Sequence, residues 1–202
     1  MPRRSKEAAL ATREQILRRA ADVASVEGLD GLTLGRLSGA ISMSKSGVFG
    51  HFGSKEELQL AVIDCAAAGF EAHVFGQSGE TTGLARLVEI AAAWIGYLER
   101  APFRGGCFFA AAAAEFDDRP GRVRDRIIEL TRSWLRVLEH EAETARADGE
   151  LDEAVDPAQL AFEIHAFVQE ANWAFQLHGD GEAFRRAHRA IRRTLGVAAP
   201  RG

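Results

Sequence analysis

The sequence predicts an all-α fold: a small N-terminal domain of three helices carrying a helix-turn-helix, followed by a larger helical domain, about nine helices in all. Three observations lead there. Apolar residues recur at the three- and four-residue spacing of a helix face in one segment after another, and no stretch alternates as a half-buried strand does. Residues suited to capping stand at the starts of those segments and glycines at many of their ends. The composition, 47% hydrophobic and 27% charged over 202 residues, is that of a folded chain with ample core.

Thr12 and Gln15 make a Ser/Thr-x-x-Glu/Gln capping box, so the first helix is expected to begin there, behind a flexible leader of residues 1–11. Ile16, Leu17, Ala20, Val23 and Ala24 trace its buried face, and Gly28 closes it. Thr33 caps a second helix with Leu34, Leu37 and Ile41 inward. Ser44 caps a third of about two turns, short enough to enter a DNA major groove about 12 Å wide. Two short helices joined by a tight turn form a helix-turn-helix, whose second member reads the groove. Ser54 and Glu57 make another capping box, and a fourth helix runs from there to about residue 75 through Leu58, Ala61, Val62 and Cys65.

After a loop from Gly76 to Gly83, a fifth helix carries Leu87, Ile90, Ala91, Trp94, Ile95 and Leu98 on one side. Pro102 to Gly106 interrupts, and the piece from Cys107 to Phe116 is so apolar that it must be interior. Asp117, Asp118 and Pro120 signal the start of a long helix to about Ala147, with Val123, Ile127, Leu130, Trp134, Val137 and Leu138 along its face. Asp156, Pro157 and Gln159 open the next, which reaches about Leu177 before Gly179 and Gly181 stop it. A basic helix from about Glu182 to Leu195 ends the pattern. The helix from Pro157 is apolar on more than one side, and a second copy of the chain is the natural cover for its outer side through Phe162, Phe167, Ala171, Ala174 and Phe175; a fully intramolecular core helix is the alternative.

Charge is divided. Residues 1–55 hold nine Lys and Arg against five Asp and Glu, whereas the remainder holds sixteen against twenty-four. A cationic head on an anionic body suits a chain that neutralises phosphates at one end only. The start Met-Pro-Arg-Arg-Ser-Lys lacks a signal peptide's apolar segment and no run of about 18 apolar residues occurs, so a cytoplasmic protein is expected. Cys65 and Cys107 are too few for a disulfide framework and lack metal-binding spacing. No HExxH, GxSxG or phosphate-cradling loop appears, and His165 shares no helix face with Glu163 or Glu170, so no enzyme, metal or cofactor is expected. A helical adaptor that binds no DNA is the competing class, but it leaves the short capped helix among basic residues without a purpose.

Thr12, Arg13, Ile16, Leu17, Gly28, Thr33, Ser44, Lys45, Val48, Phe49, His51, Phe52, Ser54, Lys55, Glu56 and Leu58 stand in one register across residues 12–64. In that stretch the chain resembles the TetR family of transcriptional regulators. It departs from the family pattern in having Ser42 where the turn usually holds Gly, and Phe49 where a Tyr hydroxyl usually meets a phosphate. Gly47 and Gly50 replace larger side chains, so the reading helix offers base edges fewer groups. The resemblance implies a DNA-binding domain over residues 1–53 and an effector-binding and dimerisation domain over 54–202. It implies a homodimer on a palindromic operator, repression in preference to activation, and a small molecule that enters among the middle helices and shifts the helix beginning at Ser54.

Candidate DNA contacts follow one by one. Thr33 and Lys55, at helix starts, suit phosphates; Ser44, Lys45, Ser46 and Gly47, on the first turn of the reading helix, suit base edges; His51 suits a phosphate near its end; Phe49 suits a sugar or a thymine methyl. Val48 and Phe52 are assigned to packing. Candidate effector-lining groups are Phe70, Trp94, Tyr97, Cys107, Phe108, Phe116, Trp134, His165 and Trp173, each with a simpler alternative as core. Their aromatic bias points to a hydrophobic or aromatic effector. Cys107 follows two glycines and is either a redox-responsive thiol or a buried inert one.

Overall fold

The computed structural model describes residues 2–41, 43–76 and 81–198, apart from the side chains of residues 2–7, 9 and 49. The described residues form nine helices and no strand: α1 (Pro2–Glu27), α2 (Leu34–Ile41), α3 (Lys45–Phe52), α4 (Lys55–Val74), α5 (Gly83–Glu99), α6 (Phe108–Phe116), α7 (Arg122–Ala147), α8 (Pro157–His178) and α9 (Glu182–Thr194). They fall into two compact units, one of Met1–Gly69 with Phe103–Ile128, the other of Phe70–Pro102 with Glu129–Gly202. Ser42 and most of the loop after Gly76 lie outside the described residues.

In the first unit, Ile16, Leu17, Ala20, Ala21 and Ala24 of α1 pack into a core with Leu37, Val48, Phe52, Leu58 and Val62, all buried. Three caps form where the sequence places them: Arg36 N–H donates to Thr33 Oγ1 (3.1 Å), Gly47 N–H to Ser44 Oγ (3.1 Å) and Glu57 N–H to Ser54 Oγ (3.1 Å). The box at Thr12 does not form, because α1 runs on to Pro2 through Ala8, Ala9, Leu10 and Ala11, strong helix formers with no breaker among them. Inside the helix, the Thr12 hydroxyl donates to Ala8 O instead (2.9 Å). The long helix α7 starts at Arg122, not at Pro120, because Gly121 has φ +142°, outside any helix.

Gly105 brings the segment before α6 onto α1. Its N–H donates to Ser25 Oγ (3.1 Å), and a Cβ at this position would stand 1.7 Å from Ser25 O.

In the second unit α8 and α9 pack side by side over α5. Asp156 caps α8 by accepting from Ala158 N–H (2.9 Å) and Gln159 N–H (3.4 Å), while the Gln159 side chain turns away to Glu163 (3.0 Å). Gly179, at φ +68°, ends α8, and the Asp180 carboxylate accepts from Glu182 N–H (2.9 Å) at the start of α9. No side chain of its own segment caps α5. Glu141 and Glu150 do so, accepting from Gly83 N–H (2.8 Å) and Leu84 N–H (2.9 Å), with their charge at the positive end of the helix dipole.

Helix α8 carries apolar residues on its inner and its outer side. Leu160, Ala161, Ile164, Val168, Ala171 and Asn172 face inward, whereas Phe162 and Trp173 are 64% and 53% exposed. Asn172 shares the inward face with Ile164 and Val168, which turns its bulkier neighbour Trp173 to the surface.

The backbone contact at Gly105 gives a direct test. Gly105→Ala must push the 103–106 segment off α1, at a cost of about 2–3 kcal/mol, and lower Tm by about 5–10 °C in a thermal melt. An unchanged Tm would mean that the approach is looser than drawn.

Candidate nucleic-acid interface and effector site

The head presents the ends of α2, α3 and α4 at its surface. Thr33, Ser44, Lys45, Ser46 and Gly50 are exposed, while Gly47, His51 and Lys55 are half-buried. The Phe49 side chain lies outside the described residues. Val48 and Phe52 are buried, as their assignment to packing requires, and the Arg13 guanidinium lies over the Phe52 ring at 5.0 Å.

Lys45 does not stretch away along its helix. Its chain folds back over Gly35, where a Cβ would stand 3.1 Å from Lys45 Cε, 3.4 Å from its Nζ and 3.9 Å from Thr33 Oγ1. The bare backbone at Gly35 therefore lets an ammonium sit beside the N-terminus of α2, near the Thr33 hydroxyl that caps it. Hydroxyl and cation together make an anion-binding corner.

Lys55 is engaged as well. Its Nζ pairs with Asp30 at 2.5 Å, and the same carboxylate takes Arg119 at 3.1 Å. Lys55 first, then Arg119, hold the Asp30 carboxyl below its ordinary pKa. These side chains are open to water, so the pairing contributes little to stability.

The nine candidate effector residues are divided between the two units. Cys107, Phe108 and Phe116 belong to the first unit, where Phe108 packs on Phe103 and Phe109 and Phe116 lies under Arg119. Burial pushes the Cys107 thiol pKa up, which favours the inert form over a redox-responsive one. Trp173 lies at the surface against His178. The remaining five meet in the second unit. Phe70 is ringed by Trp134 (4.4 Å between centroids), Tyr97 (5.4 Å) and Trp94 (5.5 Å), and His165 lies against Trp94 at 5.7 Å.

Three side-chain polar atoms in this unit are buried without a hydrogen-bond partner among the described residues: Arg86 Nη1, Trp94 Nε1 and Asn172 Oδ1. Burial also pushes the His165 pKa down, which keeps the imidazole neutral at pH 7. Sequence patterning found Trp94 and His165 but passed over Asn172, whose side chain is polar on a face expected to be apolar.

Residues 16–62 match the family model described as "Bacterial regulatory proteins, tetR family", and residues 83–191 match that of the "Tetracyclin repressor-like, C-terminal domain". The chain belongs to the TetR family. Structures of other TetR regulators overlay on nearly its whole length. One from Chloroflexus aurantiacus has 27% identity and TM-score 0.85, covering 94% of this chain and 96% of that one. One from Cytophaga hutchinsonii has 22% identity and TM-score 0.78, covering 96% and 98%. AibR, solved with isovaleryl coenzyme A and operator DNA, has 21% identity and TM-score 0.73, covering 92% and 100%. No curated protein matches in sequence.

As a TetR-family regulator the chain binds DNA through its helix-turn-helix, and the Asp30 pairing bears on how strongly. Asp30→Asn is expected to raise affinity for a random duplex about two- to fivefold and to steepen the salt dependence by up to about one unit of log K per log salt. Lys55→Ala should lower both. A drop in affinity from Asp30→Asn would mean that the carboxylate orients Lys55 for the phosphate instead of competing with it.

Proposed function

We propose that this TetR-family chain is a homodimeric cytoplasmic repressor that holds a palindromic operator with two reading heads and lets go when a small hydrophobic or aromatic molecule binds its C-terminal domain. The observation that carries the DNA half is the corner formed by Thr33, Gly35 and Lys45. In this reading Lys45 serves a phosphate, where the sequence pattern assigns it a base edge. Residues 1–53 act as the reading head and 54–202 as the sensing and pairing domain. No helix among the described residues is long and apolar enough to cross a membrane.

Pairing is supported by the seam between α8 and α9. Phe167, Ala171, Ala174, Ala183, Ala187 and Ala190 line a groove of about 210 Å³ between the two helices, with Glu170, Asp180 and Arg186 beside them. Small residues let a second pair of helices approach closely, and opposite charges in the same patch suit a two-fold contact in which each side meets its complement. The exposed apolar residues Phe162, Trp173 and Leu177 lie on the same helix. Of the residues first proposed for this face, Phe167, Ala171 and Ala174 line the groove.

The effector half rests on the aromatic centre. Phe70, Trp94, Tyr97 and Trp134 offer ring faces, and Trp94 Nε1–H with the neutral His165 offers a polar anchor. A molecule with an apolar ring and one hydrogen-bonding atom fits that set. AibR shows that a chain of this fold can be captured with a small molecule and operator DNA together.

Two experiments test the reading. In a mobility-shift titration with duplex selected from a random pool, wild type should bind with an affinity that falls steeply with salt. Lys45→Ala should weaken selected and random duplexes alike, about tenfold, and flatten the salt slope by about one unit. A change of sequence preference in Lys45→Ala would return the residue to a base edge. In sedimentation velocity, wild type should run as a dimer and Ala190→Glu as a monomer, with operator affinity reduced about a hundredfold by the loss of the second half-site. A dimeric Ala190→Glu would place the interface elsewhere.

A further inference from the structure

The turn between α1 and α2 is held by a residue from a distant part of the chain. Glu115, near the end of α6, accepts from Leu29 N–H with Oε2 (2.6 Å) and from Asp30 N–H with Oε1 (2.8 Å). Two successive amides turned to one side form a small anion nest, and one carboxylate fills it with both oxygens. Gly28 makes room: it sits at φ +82°, and a Cβ there would stand 3.0 Å from the nearer Glu115 oxygen.

The same turn is gripped from α4, where the buried Gln59 donates from Nε2 to Leu29 O (2.9 Å). Next to it Asp30 takes Arg119, one turn beyond Glu115, and farther on Arg122 reaches Glu56 (2.9 Å) and Glu57 (2.6 Å) and Arg126 reaches Asp64 (2.8 Å). The α6–α7 corner is therefore fastened to the 28–30 turn by one bidentate clip and the Arg119–Asp30 pair, and to α4 by a row of ion pairs. The clip differs from the pairs in kind. Ion pairs between exposed side chains tolerate sliding, whereas a carboxylate on two backbone amides fixes the position of the main chain.

We infer that Glu115 is a positioning residue for operator binding. It acts through the 28–30 turn, which leads directly into the Thr33 cap of α2 and so sets the angle at which the α2–α3 pair is presented. A displacement of α6 removes both amide bonds together and leaves the pair hinged at its base. Non-specific binding, which needs only phosphates, survives that loosening; operator binding, which needs a fixed reading helix, does not. This rests on the regulator reading above.

Glu115→Gln is the sharpest variant, because the amide keeps one acceptor but turns an NH₂ toward a backbone N–H. The ratio of affinity for the selected operator over random duplex should fall about tenfold, while random-duplex affinity changes less than about twofold. In proton–nitrogen spectra the Leu29 and Asp30 amides should lose their downfield position and their protection from exchange, with the rest of the helical signals in place. A variant that keeps the full ratio, while wild type discriminates normally, overturns the clip's role alone. A wild type that selects no duplex overturns the regulator reading and this inference with it. Should Glu115→Gln not fold, hydrogen exchange in the wild-type chain decides: Leu29 and Asp30 amides exchanging at open-chain rates overturn the clip, and protected ones uphold it.

Discussion

A helix of eight residues cannot hold itself together in water, and the two helices of the helix-turn-helix are both of that length. Forming the first turn fixes several dihedrals for one hydrogen bond, so helices this short exist only where caps and packing supply the difference. Thr33 and Ser44 each satisfy an amide of the first turn, and Leu37 and Val48 each bury a whole side chain at 0% exposure. The surface offered to DNA is thus a dependent structure. Its orientation is inherited from α1, from the seam under Leu37 and Val48, and from the turn at Leu29 and Asp30 that joins them.

The ion pairs around the head are better understood as a correction to its field than as a source of stability. Asp30, Glu56, Glu57 and Asp64 lie on or beside α4, at whose start Lys55 stands, and each meets Lys55, Arg119, Arg122 or Arg126. Exposed pairs contribute little to folding. Left bare, however, these four carboxylates would repel any phosphate that came within the roughly 8 Å over which charge acts in physiological salt. Arginines brought in from the α6–α7 corner cancel that repulsion without adding bulk at the groove. This is how a chain with net charge −4 presents a cationic face to DNA at one end.

What could be read from sequence was what is decided within a few residues. Thr33, Ser44, Ser54 and Asp156 cap as expected because donor and acceptor are neighbours along the chain. The reciprocal halves of the boxes failed for the opposite reason: Glu57 found Arg122 and Gln159 found Glu163, partners that won over a backbone amide. Thr12 misled because a good capping residue followed a run that could also be helix. Lys55 was recognised as a charge at a helix start, but nothing local announces that Asp30 holds it. Glu115 was invisible, one acid in an alanine-rich run whose partners stand 86 and 85 residues away. On α8 the larger hydrophobe was expected inside, yet helical register placed Asn172 there and Trp173 outside.

That buried asparagine matters for what an effector must do. An interior donor or acceptor left without a partner costs about 1–3 kcal/mol, and among the described residues the second unit carries three, Arg86 Nη1, Trp94 Nε1 and Asn172 Oδ1. In the effector reading, a ligand atom that pairs with one of them recovers a free energy of the same size as a typical coupling between two sites, about 1–3 kcal/mol. A pure hydrocarbon packed among Phe70, Tyr97 and Trp134 gains burial wherever the rings remain together, and a ligand bound equally well by two conformations shifts neither. A hydrogen bond is more demanding of geometry than ring contact is, so its strength changes more when helices slide. The polar atom of the effector, and not its hydrophobic bulk, is therefore the part able to tell one conformation from the other.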